Sequence, residues 1–96
     1  MKNLYHCPIK VNLEKTGVPS SFIFNGRFYK IMTIEKTWEI SYKVLGEKGY
    51  KYYFKVKGED DNFYDISYDS ILDKWFLERI DFITTFGLLQ QPCLKL

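Results

Sequence analysis

The stretch Ser21-Phe22-Ile23-Phe24-Asn25-Gly26-Arg27-Phe28-Tyr29-Lys30-Ile31-Met32-Thr33-Ile34 decides the fold class of this chain. Asn25-Gly26 sits between two runs of β-branched and aromatic residues. A two-residue type I′ turn needs positive φ at both central positions, which Asn and Gly adopt at least cost, so a β-hairpin is expected here. Further on, Trp38, Ile40, Tyr42 and Val44 alternate with Glu39, Ser41 and Lys43, the period-two signature of a half-buried strand. Gly46-Glu47-Lys48-Gly49 supplies a turn. After it, Tyr50, Tyr52, Phe54 and Val56 share one face, with Lys51, Tyr53, Lys55 and Lys57 on the other. Past the acidic loop Gly58-Glu59-Asp60-Asp61-Asn62, a strand carries Tyr64, Ile66 and Tyr68 inward, and Trp75, Phe76, Leu77 and Ile80 mark one more. Residues 69–74 read as a loop or as one helical turn capped by Asp69.

Towards the N terminus the pattern weakens. Residues 1–20 hold Pro8, Gly17 and Pro19 and only the alternation Ile9-Lys10-Val11-Asn12-Leu13, so an arm with one edge strand near 9–13 is expected. Short strands with turns every 8–12 residues describe an all-β domain over 21–81, an antiparallel meander of five or six strands curled into a barrel-like sheet. Its expected core comprises Phe24, Phe28, Ile34, Trp38, Tyr52, Phe54, Val56, Ile66, Trp75, Leu77 and Ile80. In the apolar C-terminal segment 82–96, Phe82, Ile83, Phe86, Leu88 and Leu89 have rough helical spacing. Gly87 and Pro92 limit any helix to about two turns, and Thr84-Thr85 suit an added strand instead. This segment is expected to pack on the domain or to dock on a partner.

With 96 residues the chain is long enough for one domain, and 46% hydrophobic with 19% aromatic residues gives that domain a dense core, which excludes disorder as its description. A net charge of +2 is too small to name a partner. No export-type apolar core opens the chain, and no apolar run nears the ~18–20 residues that span a bilayer. A cytoplasmic protein without membrane partners is expected. Cys7 and Cys93 are too few for a disulfide scaffold. Two reduced thiols are expected, a bridge between the two ends being the other reading.

Chemistry-bearing motifs are scarce. His6 is the one histidine, and its neighbour Cys7 would point the opposite way on an extended chain, so a nucleophile–base pair is not expected. The sequence holds no CxxC and no glycine-rich phosphate or nucleophile motif. In Glu59-Asp60-Asp61 with Asp65, Phe63 and Tyr64 fall where an oxygen cage needs polar residues or glycine. Neither catalysis nor a metal nor a cofactor is expected.

Charge is segmented along the chain: residues 27–57 carry eight basic and three acidic side chains, residues 58–81 two basic and eight acidic. In a meander, cross-strand pairing can cancel that asymmetry. Left unpaired, Arg27, Tyr29, Lys43, Lys51, Tyr53, Lys55 and Lys57 would form a basic, tyrosine-bearing face suited to single-stranded nucleic acid, lysines taking phosphates and tyrosines stacking on bases.

The segment 22–81 also resembles a family of small bacterial β-rich domains of unknown function, some found beside genes for translesion (Y-family) DNA polymerases. The resemblance rests on Phe24-Asn25-Gly26-Arg27-Phe28-Tyr29-Lys30-Ile31, on Trp38, on Tyr53-Phe54-Lys55-Val56-Lys57, on Phe63-Tyr64-Asp65-Ile66 and on Lys74-Trp75-Phe76-Leu77-Glu78-Arg79-Ile80. It brings no catalytic residues and implies a non-enzymatic accessory role. Two functions are therefore expected in turn: a non-catalytic accessory or protein-interaction module, working through an open sheet edge or the 82–89 segment, or sequence-independent binding of single-stranded nucleic acid.

Overall fold

The computed structural model describes residues 2–82. Six strands follow one another: β1 (Lys2–Leu13), β2 (Pro19–Phe24), β3 (Arg27–Val44), β4 (Glu47–Gly58), β5 (Phe63–Asp69) and β6 (Lys74–Asp81). Each runs antiparallel to the next, and β1 pairs back onto β6, so the meander closes into a barrel as the strand pattern implies. No helix occurs among the described residues, and none is long and apolar enough to cross a membrane.

The expected arm is instead the closing strand. β1 runs for twelve residues, with Tyr5 and Cys7 in the core and Ile9 and Val11 packed against it, while Leu4, His6, Pro8 and Lys10 face outward. The alternation begins at Tyr5, but Cys and His within it mask its period. Cys7, 1% exposed, is held in a disulfide, so the reading of two reduced thiols does not hold for it. Cys93 lies outside the described residues.

Asn25 (φ 52°) and Gly26 (φ 74°) take the expected type I′ geometry. That turn pairs Phe24 with Arg27, Ile23 with Phe28 and Phe22 with Tyr29. Directly opposed residues share a face. Phe22 and Tyr29 stack inside at 5.0 Å, and Ile23 and Phe28 face out, Phe28 at 61% exposure. Phe28 is thus not a core residue, for its register partner is Ile23 rather than Phe24. The next turn uses Leu45 (φ 51°) and Gly46 (φ 84°), so Glu47, Lys48 and Gly49 are already strand.

The core gathers Phe22, Phe24 and Tyr29 from the hairpin with Val56, Tyr64, Ile66, Leu77 and Ile80, and Ile34, Phe54 and Trp75 pack on its margin. Trp38 and Tyr52, expected there, lie outside it, Tyr52 at 38% exposure. Phe82 joins the core at 5% exposure, which removes it from the candidate partner-binding residues; Ile83, Phe86, Leu88 and Leu89 lie outside the described residues.

The barrel is strongly staggered. From Ile9 the pairing through Trp75, Tyr68 and Tyr52 reaches β3 at Glu39, whereas from the adjacent Lys10 the pairing through Ile23 reaches β3 at Phe28. Such a stagger tilts the strands steeply. It also leaves most of β3 beyond the reach of β2, which covers it only over 27–30.

Candidate functional site

Register irregularities interrupt β3 at Met32 and Glu35, and residues 36–44 then pair with β4 without interruption. On its other side, no strand among the described residues pairs with β3 past Lys30. The result is a long sheet edge on a projecting hairpin. Ile40 and Val44 are each 48% exposed on one face of it, and Leu45 at the tip is fully so.

Side chains on the Ile40 face pack and bond across this hairpin. Trp38 lies flat on Tyr53, ring centroids 5.1 Å apart and 5° from parallel, with the Lys36 ammonium 5.5 Å above the indole. The Tyr42 hydroxyl donates to Asp69 Oδ1 at 2.5 Å, and that oxygen also accepts the N–H groups of Ile71 and Leu72, which caps the 70–73 turn as expected of Asp69. The bond to Asp69 pushes the Tyr42 hydroxyl up to about 12.

Burial by itself would raise the Asp69 carboxyl, but the hydrogen bonds from Tyr42, Leu72 and Ile71, with the Lys51 charge, outweigh it and hold the group below its ordinary value. The stabilisation this brings is complete above the unfolded carboxylate pKa and is lost as pH falls through the depressed folded value. In urea unfolding at a series of pH values, Asp69→Asn is expected to be less stable than wild type at about pH 7, with the gap closing towards about pH 2. A gap independent of pH would show that the carboxylate charge plays no part.

Against the β1–β2 turn, the barrel opens into a hollow of about 500 Å³ lined by Tyr52, Phe54, Tyr68, Asp73 and Trp75, with Leu13 and Gly17 from that turn across it. Trp75 makes angled contacts with Tyr68 (5.3 Å, 53°) and Phe54 (5.7 Å, 37°). Tyr52, Phe54 and Trp75, expected in the core, stand with Tyr68 around this hollow.

The outer face also carries a polar row. Ser67 Oγ donates to Glu78 Oε2 at 2.6 Å, and His6 Nδ1 lies 3.1 and 3.2 Å from the two Glu78 oxygens, its ring stacked on Phe76 at 4.3 Å. The carboxylate stands between the hydroxyl and the imidazole. A nucleophile–base–acid chain needs the imidazole in that middle place, so this row orients side chains and does not activate Ser67. No group of three or more His, Cys, Asp or Glu suited to a metal occurs among the described residues.

The basic residues singled out in the sequence divide. Lys51, Tyr53, Lys55 and Lys57 share one face of β4, as the alternation implied. That face meets the acids of β5 and its loop: Lys55 lies 3.9 Å from Asp65, Lys57 lies 3.7 Å from Asp61, and Lys51 is directly opposite Asp69. Arg79, 3.4 Å from Asp65, adds to the pairing. Tyr53 has one ring face covered by Trp38, and its hydroxyl is pushed upward chiefly by burial. Lys43 is exposed on the other face of the hairpin, opposite Lys48. Arg27 lies over Tyr29 at 6.0 Å, and Tyr29 is a core ring, unavailable to stack on a base. The seven residues therefore do not form one surface. Sequence reasoning expects an open sheet edge without showing which strand carries it, since an unpaired strand and a paired one have the same alternation.

Comparison with protein-family models, with curated proteins and with solved structures returned no match.

Proposed function

We propose that this chain is a non-catalytic protein-interaction module that takes up an extended segment of its partner as an added strand along β3. The observation that carries this reading is the edge past Lys30, unpaired among the described residues, with an uninterrupted run over 36–44. Strand addition draws affinity from main-chain hydrogen bonds and selectivity from side-chain pockets. A hollow of about 480 Å³ lined by Ile40, Tyr42 and Val44 of the edge strand, with Lys51, Ile71 and Leu72, provides such a pocket. Natural proteins usually shorten, bulge or cover an edge of this length; here the irregularities lie at its base and leave 36–44 free of them. The resemblance over 22–81 to small accessory domains agrees with this role. A cytoplasmic location belongs to the same proposal, although Cys7 in a disulfide lends it no support.

Binding of single-stranded nucleic acid is the second reading. It is supported by the shared face of Lys51, Tyr53, Lys55 and Lys57, and opposed by the acidic partners already beside those lysines. A titration with a labelled oligonucleotide at low and physiological salt tests it, because phosphate neutralisation weakens steeply with salt.

The test of strand addition is selection of random peptides displayed against the folded protein, followed by calorimetric titration and amide exchange. Bound peptides are expected to protect amides within 36–44. Ile40→Lys with Val44→Lys, both at half-exposed positions, is expected to weaken them at least about tenfold without unfolding the domain, as edge lysines do in natural sheets. Selected peptides that leave the β3 amides exchanging freely, or that bind the double variant equally well, would sink this reading.

A further inference from the structure

We infer that the aromatic hollow at the barrel mouth is a binding site for a quaternary or methylated ammonium group. This assignment does not rest on strand addition. Four rings, of Tyr52, Phe54, Tyr68 and Trp75, line the hollow together with Asp73. The rings of Tyr68, Trp75 and Phe54 meet at 53° and 37° instead of lying flat on one another. The Tyr68 hydroxyl donates to Asp73 Oδ1, which draws electron density onto that ring and fixes the carboxylate beside it.

Elsewhere the protein places its own cations on ring faces. Lys36 lies over Trp38, Lys48 over Tyr50, Lys55 over Phe63 and Arg27 over Tyr29, at 5.4 to 6.0 Å. None of these cation–ring contacts involves a ring of the hollow, and no Lys, Arg or His among the described residues lines it. Four aromatic rings and an acidic residue, with no cation among the described residues lining the hollow, favour a positive charge inside an apolar wall. A cation with an apolar shell matches both features. An unmethylated ammonium is strongly hydrated and gives up its water at greater cost. At about 500 Å³ the hollow has room for a trimethylammonium head together with the stem that carries it.

The test is a titration followed by the indole N–H resonances, with Trp75 as reporter and Trp38, on the other face, as internal control. The probes are tetramethylammonium, choline, and 3,3-dimethylbutanol, which has the shape of choline without its charge. Tetramethylammonium and choline are expected to move the Trp75 signal at millimolar concentration, and the neutral probe to bind about tenfold more weakly or worse. Tyr52→Ala removes an exposed ring, and Asp73→Asn removes the charge while keeping an acceptor for Tyr68; each is expected to weaken choline several-fold with the spectrum otherwise that of the folded protein. A peptide bearing trimethyl-lysine separates the two sources of this chemistry. Tighter binding than choline assigns the site to a modified side chain, and looser binding to a free small cation; either result supports the site. Equal binding of choline and its neutral counterpart would overturn the inference in favour of an apolar hollow, and an unmoved Trp75 signal would overturn it outright.

Discussion

Replacing Phe22 by alanine is expected to cost about 3–5 kcal/mol of stability, a large part of what a domain of this size possesses. Phe22 is 1% exposed and stands where three rings converge, stacked on Tyr29 at 5.0 Å and edge-on to Tyr64 at 5.3 Å. Truncation removes the transfer energy of the ring and leaves a cavity that two large aromatic neighbours cannot collapse to fill. The adjacent Ile23 is the control: it faces outward at 37% exposure, so Ile23→Ala is expected to cost less than about 1 kcal/mol. Urea unfolding followed by tryptophan fluorescence measures both. Equal losses at the two positions would mean that the hairpin register is not the one described.

The second large effect is expected at Gly49, through close approach and without any demand on φ. A Cβ there would lie 2.6 Å from Ile71 Cδ1 and 2.8 Å from Tyr42 Cζ. Tyr42 is directly opposite Gly49 across β3 and β4, and its ring is held over the glycine by the hydrogen bond to Asp69. Retreat of the ring breaks that bond, so Gly49→Ala is expected to cost about 1–3 kcal/mol. Ile71→Ala in the same chain opens space on one side. The double variant is therefore expected to lose less than the sum of the two single losses, a coupling that a thermodynamic cycle reads directly. Strict additivity would show that Ile71 does not confine the site.

The same residues explain how much was legible in advance. Asn25-Gly26 specifies a turn chemistry, and the turn specifies a register, so the inward placement of Phe22 and Tyr29 and the outward placement of Phe28 follow from the hairpin without any tertiary knowledge. Assigning Phe28 to the core confused aromatic character with facing. β1 was obscured for another reason: Tyr5, Cys7, Ile9 and Val11 alternate, but Pro8 interrupts the strand's donor row and His6 its polar face, so local composition resembles an arm. The candidate site was less legible still. Trp38, Tyr52 and Trp75 read as core because large aromatic residues at period two usually are, whereas their exposure depends on where neighbouring strands stop.

By itself the sequence determined the strands from β2 to β6, the Asn25-Gly26 turn, the antiparallel order and the charge segments, because each depends on contacts between residues near in the chain or on strict alternation. Tertiary structure decided the closure of β1 onto β6, the pairing of the β4 lysines with the β5 acids, and the edge and hollow left over. These depend on the stagger of the barrel, an offset accumulated over six strands and their irregularities, which no local pattern encodes.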